Sequence, residues 1–142
     1  MKPALRFLLA LIISAAGCGN SPELPEQVRV GAQQSLKEGL AAFESRDYAT
    51  ALAKLDEAIA SGGVYSGSIV DARVKRAVAL AATGDAAAAN SELDELEQNA
   101  PDLDLIYAAR SYILAKQGKA AEARAALAQA RRYNRTVQEF KD

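Results

Sequence analysis

The chain has 142 residues, half of them apolar, a quarter charged and 6% aromatic, with no His, no Trp, one Cys and a net charge of −1. Without His there is no Ser-His-Asp or Cys-His pair, no histidine general base and no His or Cys-His zinc site, and a lone Cys forms no internal disulfide. No phosphate-cradling glycine loop is present and the charge gives no pull toward nucleic acid, so no catalytic residue, metal, cofactor or nucleic-acid partner is expected.

The first segment, residues 1–17, places Lys2 and Arg6 ahead of an apolar run from Phe7 to Ala16. Ten helical residues span about 15 Å, half the hydrocarbon thickness of a bilayer. The segment is therefore expected to be a secretory signal peptide and not a membrane span. Ala15, Ala16 and Gly17 stand directly before Cys18. This small-residue triplet resembles the lipobox of bacterial lipoproteins, which implies acylation of Cys18 and cleavage ahead of it. An ordinary signal peptide with an incidental Cys, or a stray buried thiol, are the other two readings of Cys18. Several acyl chains on one residue anchor a protein stably where a single chain does not. Gly19 stands where Asp would resemble an inner-membrane retention signal, so the implied address is the outer membrane, facing the periplasm.

Residues 18–27 carry Pro22, Pro25 and polar neighbours without periodicity, and are expected to be a tether reaching roughly 30 Å when extended. With residues 1–17 removed, only Lys2 and Arg6 are lost, leaving 15 basic against 18 acidic residues and a net charge of −3.

From there the pattern is helical. Predicted helices run over 28–45, 48–60, 68–83, 86–99, 103–117 and 120–133, with apolar spacings of three and four such as Leu36, Gly39, Leu40, Phe43 and Val70, Val74, Ala77, Val78, Ala81. The chain's 32 alanines form helix well but fill little volume, so one thick core is not expected.

Segments 39–51, 77–89 and 111–123 superpose without gaps, offset by 38 and then 34 residues, with the four extra residues assigned to the neighbourhood of Gly67. Gly39, Ala77 and Ser111 align as small residues, as do Ala51, Ala89 and Ala123; Leu55, Leu93 and Leu127 align further on, as do Ala58, Leu96 and Ala130. Small residues at these places let the two helices of a hairpin approach closely. Gly84 and Gly118 are suited to left-handed caps, and Asp47 and Asp85 to capping the helices that follow.

This period and pattern over residues 28–135 resembles the tetratricopeptide repeat. The resemblance implies an all-α fold, a short right-handed solenoid of three helical hairpins, with 136–142 left as a tail or helix extension in which Val137 and Phe140 continue the helical spacing. The chain departs from the family at several positions: Glu38, Arg76 and Arg110 replace the large apolar residue before the small one, Ala86 and Ala120 stand where Tyr48 keeps the aromatic, and Arg135 stands where a closing Pro would be. Arg46 stands in place of the first turn glycine.

In that family the first helix of each repeat lines a concave wall. Carried over position by position, the wall here is Gln33, Leu36, Leu40 and Phe43, then Asp71, Val74, Val78 and Ala81, then Leu105, Ala108, Tyr112 and Ala115. These are largely apolar, so the carboxylate clamp of chaperone-binding members is absent. The wall either binds an amphipathic or extended peptide or is filled by the chain's own packing. Arg124, Arg131, Arg132 and Arg135 on the last helix, and Glu92, Asp94, Glu95 and Glu97 before it, read as solvated faces. Asp94 with Glu97, and Asp102 with Asp104, are the carboxylate pairs an enzyme would use, with no pocket implied.

The expected function is a membrane-anchored interaction module of the bacterial envelope, an adaptor holding an envelope protein or peptide in the groove. The second reading is a self-associating structural lipoprotein, a homodimer without a peptide ligand.

Overall fold

The computed structural model describes residues 23–99 and 101–142, and these fold as an all-α protein. Six helices follow one another: α1 (Glu26–Glu44), α2 (Tyr48–Ala60), α3 (Ser66–Ala82), α4 (Ala86–Asn99), α5 (Leu103–Lys116) and α6 (Ala120–Tyr133). The segment expected to be a signal peptide and Cys18 lie outside the described residues.

Two helices start earlier than their periodicity predicts. Pro25 at the cap position lacks an N–H that the helix start would leave unused, and its carbonyl accepts from the amides of Val28 and Arg29 at 2.9 and 3.2 Å. Glu26 and Gln27, expected in the tether, are therefore helical, and Glu26 pairs with Arg29 at 2.5 Å. Likewise Tyr65 opens α3 two residues early, its carbonyl accepting from Ser68 and Ile69. The four-residue insertion is thus absorbed mainly as an extra turn of α3, which has 17 residues against 14 in α5.

The three hairpin turns are built alike. The amides of Asp47, Asp85 and Lys119 donate to the carbonyls of Ala42, Leu80 and Leu114 at 2.9, 2.8 and 2.9 Å, the six-to-one bond of a Schellman turn. At the residue before each of these, φ is +63° at Arg46, +104° at Gly84 and +75° at Gly118. Asp47 and Asp85 cap α2 and α4 as expected, accepting from the amides of Thr50 and Ala88 at 3.2 and 3.0 Å. Arg46 alone places a Cβ in the left-handed region, at a cost of about 1 kcal/mol. Arg46→Gly is expected to raise the thermal midpoint by a few degrees, read by circular dichroism; an unchanged or lower midpoint would show that the turn carries no strain.

Hairpin packing follows the small residues. A Cβ at Gly39 would lie 3.0 Å from the Leu55 side chain, so α1 and α2 meet there at backbone distance. Ala51, Ala77 and Ala89 are fully buried, and the Ser111 hydroxyl donates to the Ala123 carbonyl at 2.8 Å. Within hairpins α1 packs on α2, α3 on α4 and α5 on α6; between them α2 meets α3, α4 meets α5, and the first helices touch in series, α1 on α3 and α3 on α5. Among the described residues the second helices make no corresponding series of contacts with each other. The first helices therefore form one continuous face, with the second helices behind it. Leu55 and Leu93 are fully buried, whereas the aligned Leu127 on α6 is half-buried.

The departures from the repeat pattern turn out to be ion-pairing positions. Glu38 on α1 pairs with Lys54 on α2 at 3.0 Å. At the aligned positions Arg76 on α3 pairs with Glu92 on α4, the same rung with its charges exchanged. Arg76 also reaches back to Asp56 of α2, and Arg110 of α5 repeats that contact on Asp94 of α4 at 2.7 Å, so each junction between hairpins carries one Arg–Asp tie in the same register. Glu92 is 7% exposed, held also by Arg73 at 2.6 Å, and Glu97 binds Arg110 at 2.6 Å. The acidic run is consequently an inter-helix network in which Asp94 and Glu95 stay exposed as the sequence predicts, while Glu92 is buried and Glu97 half-buried.

Candidate functional site

The last helix stops at Tyr133. Asn134 is extended (φ −143°, ψ 109°), its amide nitrogen donates to Asp104 at 2.9 Å, and its side-chain oxygen accepts from the Thr136 amide and hydroxyl at 3.0 and 2.9 Å. A short polar side chain that closes its own turn competes with helix continuation. Residues 136–142 accordingly do not extend α6 but form a non-helical strap across the face made by α1, α3 and α5.

Three side chains hold the strap. Val137, 8% exposed, clusters with Ala108 of α5 and Ala130 of α6. Phe140 meets Phe43 edge-to-face, centroids 6.0 Å apart and rings at 88°, while Phe43 stands edge-on to Tyr48 at 5.6 Å. Such pairs add about 0.5–1.5 kcal/mol to their burial. The Asp142 carboxylate accepts from the Tyr112 hydroxyl at 2.7 Å and from the Lys116 ammonium at 3.1 and 3.2 Å. Burial first, then the Asp142 carboxylate, pushes the Tyr112 phenol up. The hydrogen bond from Tyr112, then Lys116, holds Asp142 below the usual carboxylate range. A depressed carboxylate contributes above its ordinary value and loses that contribution as pH falls through the lowered one, so this contact persists at neutral pH and weakens in strong acid.

Between strap and helices a cleft of about 600 Å³ remains, lined by Phe43, Tyr48, Asp71, Lys75, Val78 and Leu105 together with strap residues. Its rim is charged: Asp71 pairs with Lys75 at 2.9 Å, and Glu44 and Arg46 stand beside them.

The wall positions carried over from the sequence divide in two. Phe43, Asp71, Val78, Leu105, Ala108 and Tyr112 are at the cleft or under the strap. Gln33, Leu36, Leu40 and Val74 are not among the residues lining it. Gln33 donates to the Gly63 carbonyl at 3.1 Å, tying α1 to the α2–α3 turn. Leu36 and Leu40 cluster with Leu55, Ala58 and Ala72, and Val74 is fully enclosed, because this thin alanine core needs their volume. Ala81 is buried and Ala115 exposed. Sequence reasoning missed the strap as occupant and Lys116, Lys75 and Arg46 as its charged surround; the apolar pair Val137 and Phe140 was the only signal. Arg131 also serves the strap, bonding Glu139 at 2.5 Å, and the remaining arginines of α6 are exposed.

Neither a family model, nor a curated protein, nor a solved structure matches the chain. Among the described residues no helix is long and apolar enough to cross a membrane. Asp94 and Glu97 of α4 are both engaged by Arg110 of α5, and Asp104 of α5 by Asn134 just beyond α6.

Proposed function

We propose that the protein is a lipid-anchored adaptor of the bacterial cell envelope, a tetratricopeptide-type solenoid that binds another envelope protein through the α1–α3–α5 face and performs no chemistry of its own. The observation that supports this most is that the face already holds a non-helical segment, by an aromatic contact, an apolar contact and a carboxylate contact. Extended-peptide recognition uses this combination, with buried side chains giving affinity and polar contacts giving register. The anchor is assigned to Cys18, on the outer membrane facing the periplasm, with residues 18–25 as the tether.

Self-association is the second reading, favoured by Tyr133 at the end of α6, 52% exposed. The two separate in cells. A photoreactive residue in place of Lys75, which lines the cleft, is expected to yield a discrete heteromeric adduct, and Cys18→Ser is expected to abolish labelling by a fatty acid and release the protein from membranes. An adduct only between copies would favour the second reading, and unaltered labelling of Cys18→Ser would remove the anchor.

A further inference from the structure

The strap is held to the helices by few backbone bonds. Its backbone makes no ladder or helix with the rest: the Val137 amide donates to the Asn134 carbonyl at 3.2 Å within the same turn, and the Lys141 carbonyl accepts from Tyr48 at 3.5 Å. Every other contact of the strap with the helices is made by side chains, and five of the seven residues, Thr136, Gln138, Glu139, Lys141 and Asp142, are exposed. A segment held this way opens at a small fraction of the global unfolding free energy. Yet its contacts are spaced as a motif, with an apolar residue, an aromatic three positions on and a carboxylate two beyond that, each meeting a complementary group on α1, α5 or α6. The cleft beside Phe140 shows that the strap fills only part of the space, with the Asp71–Lys75 pair and Arg46 still facing it.

We propose that residues 136–142 are a stand-in ligand: the face recognises an extended segment of a partner protein with the same apolar-x-x-aromatic-x-acidic pattern, and that segment binds by displacing the strap. This rests on the reading of the face as a protein-binding surface and adds the ligand's chemistry and its control. Because the strap is tethered, it competes at high effective concentration, and apparent affinity for the outside segment falls by the fraction of molecules in which the face is open. A strap docked nine-tenths of the time weakens binding about tenfold.

The test uses the full chain and a synthetic peptide, Thr-Val-Gln-Glu-Phe-Lys-Asp, copied from residues 136–142 and amidated so that the carboxylates are its Glu and Asp side chains alone. Two variants release the strap: Val137→Ser with Phe140→Ser, and, should the exposed cluster impair folding, Asp142→Asn, which touches no apolar core. Amide resonances of Lys75, Tyr112 and Lys116 are followed by NMR. In the released variants the peptide is expected to bind at least about tenfold more tightly than in the wild type and to return these resonances toward their wild-type positions, whereas a peptide with Ala for Phe does not. Absence of binding to either released variant at several millimolar peptide overturns the proposal, as does equal binding to wild type and variants. Wild-type dimers that form by strap exchange, seen in sedimentation and lost in Phe140→Ser, would also overturn it, since the occupant would then be a second copy. Peptide binding without any heteromeric adduct from residue 75 would instead remove the adaptor reading and leave the segment chemistry standing.

Discussion

Leu93→Ala is expected to cost about 4 kcal/mol of folding stability and roughly 10–15 °C in thermal midpoint. Leu93 is fully buried on α4, in a cluster formed with residues of α1, α2, α3 and α5. Leu-to-Ala changes in cores cost about 2–5 kcal/mol, the upper part applying where the surroundings do not collapse into the vacated space. Here the cluster includes Ala51, Ala77, Ala79, Ala81, Ala89 and Ala109. A methyl group fixed to a helix backbone has no rotamer with which to fill a void, so relaxation would require whole helices to move. Leu127→Ala, at the aligned but half-buried position on α6, is expected to cost no more than about 1.5 kcal/mol. Chemical denaturation of both variants decides the matter: equal losses would mean that the third hairpin is as deeply enclosed as the second.

Glu92→Ala is expected to cost about 3 kcal/mol. Its carboxylate is the meeting point of Arg73 and Arg76, each 28% exposed, and removing one member of a buried ion pair leaves the other's desolvation uncompensated. The loss stays below the extreme for such sites because Arg73 retains Glu95 at 2.9 Å and Arg76 retains Asp56. Glu92→Gln keeps hydrogen-bonding capacity without charge and should cost less than Glu92→Ala. The pair Arg76→Ala with Glu92→Ala should cost clearly less than its two single changes together, since both remove the same interaction. Strict additivity would show that the two side chains do not cooperate.

Much of the fold was legible in the sequence because its hairpins use residues that only one geometry tolerates well. Gly84 and Gly118 mark turns by their positive φ, Asp47 and Asp85 mark caps, and Gly39, Ala77 and Ser111 mark close approach. The strap was not legible as such. Val137 and Phe140 also suit a helix that runs on, and what redirects them is Asn134 closing a turn, together with Phe43 and Tyr48, which lie far away along the chain. Nor did the pattern separate wall from core on the first helices. Leu36 and Phe43 lie seven residues apart on α1 and both are buried, yet Leu36 packs with Leu55 and Ala72 while Phe43 also meets Phe140 of the strap. The burial of Glu92 was hidden because its arginine partners sit on another helix, one of them, Arg76, at a position where the repeat pattern leads one to expect an apolar side chain.

The recurring Arg–Asp tie between hairpins has a consequence for assembly. Arg76 with Asp56 and Arg110 with Asp94 would be followed, in the same register, by an acid at position 128, where the chain has Ala128; and the position that carries Arg in the second and third hairpins carries Glu38 in the first. Were one copy to stack its first hairpin on the last hairpin of another, a methyl group would face a carboxylate where each internal junction has a charge pair. Proteins built from identical stacked modules are exposed to open-ended growth, because a head-to-tail junction that does not close into a ring repeats without limit. Here the charge pair that joins one hairpin to the next is continued neither by Glu38 in the first hairpin nor by Ala128 in the third, which disfavours head-to-tail stacking of copies through these two faces.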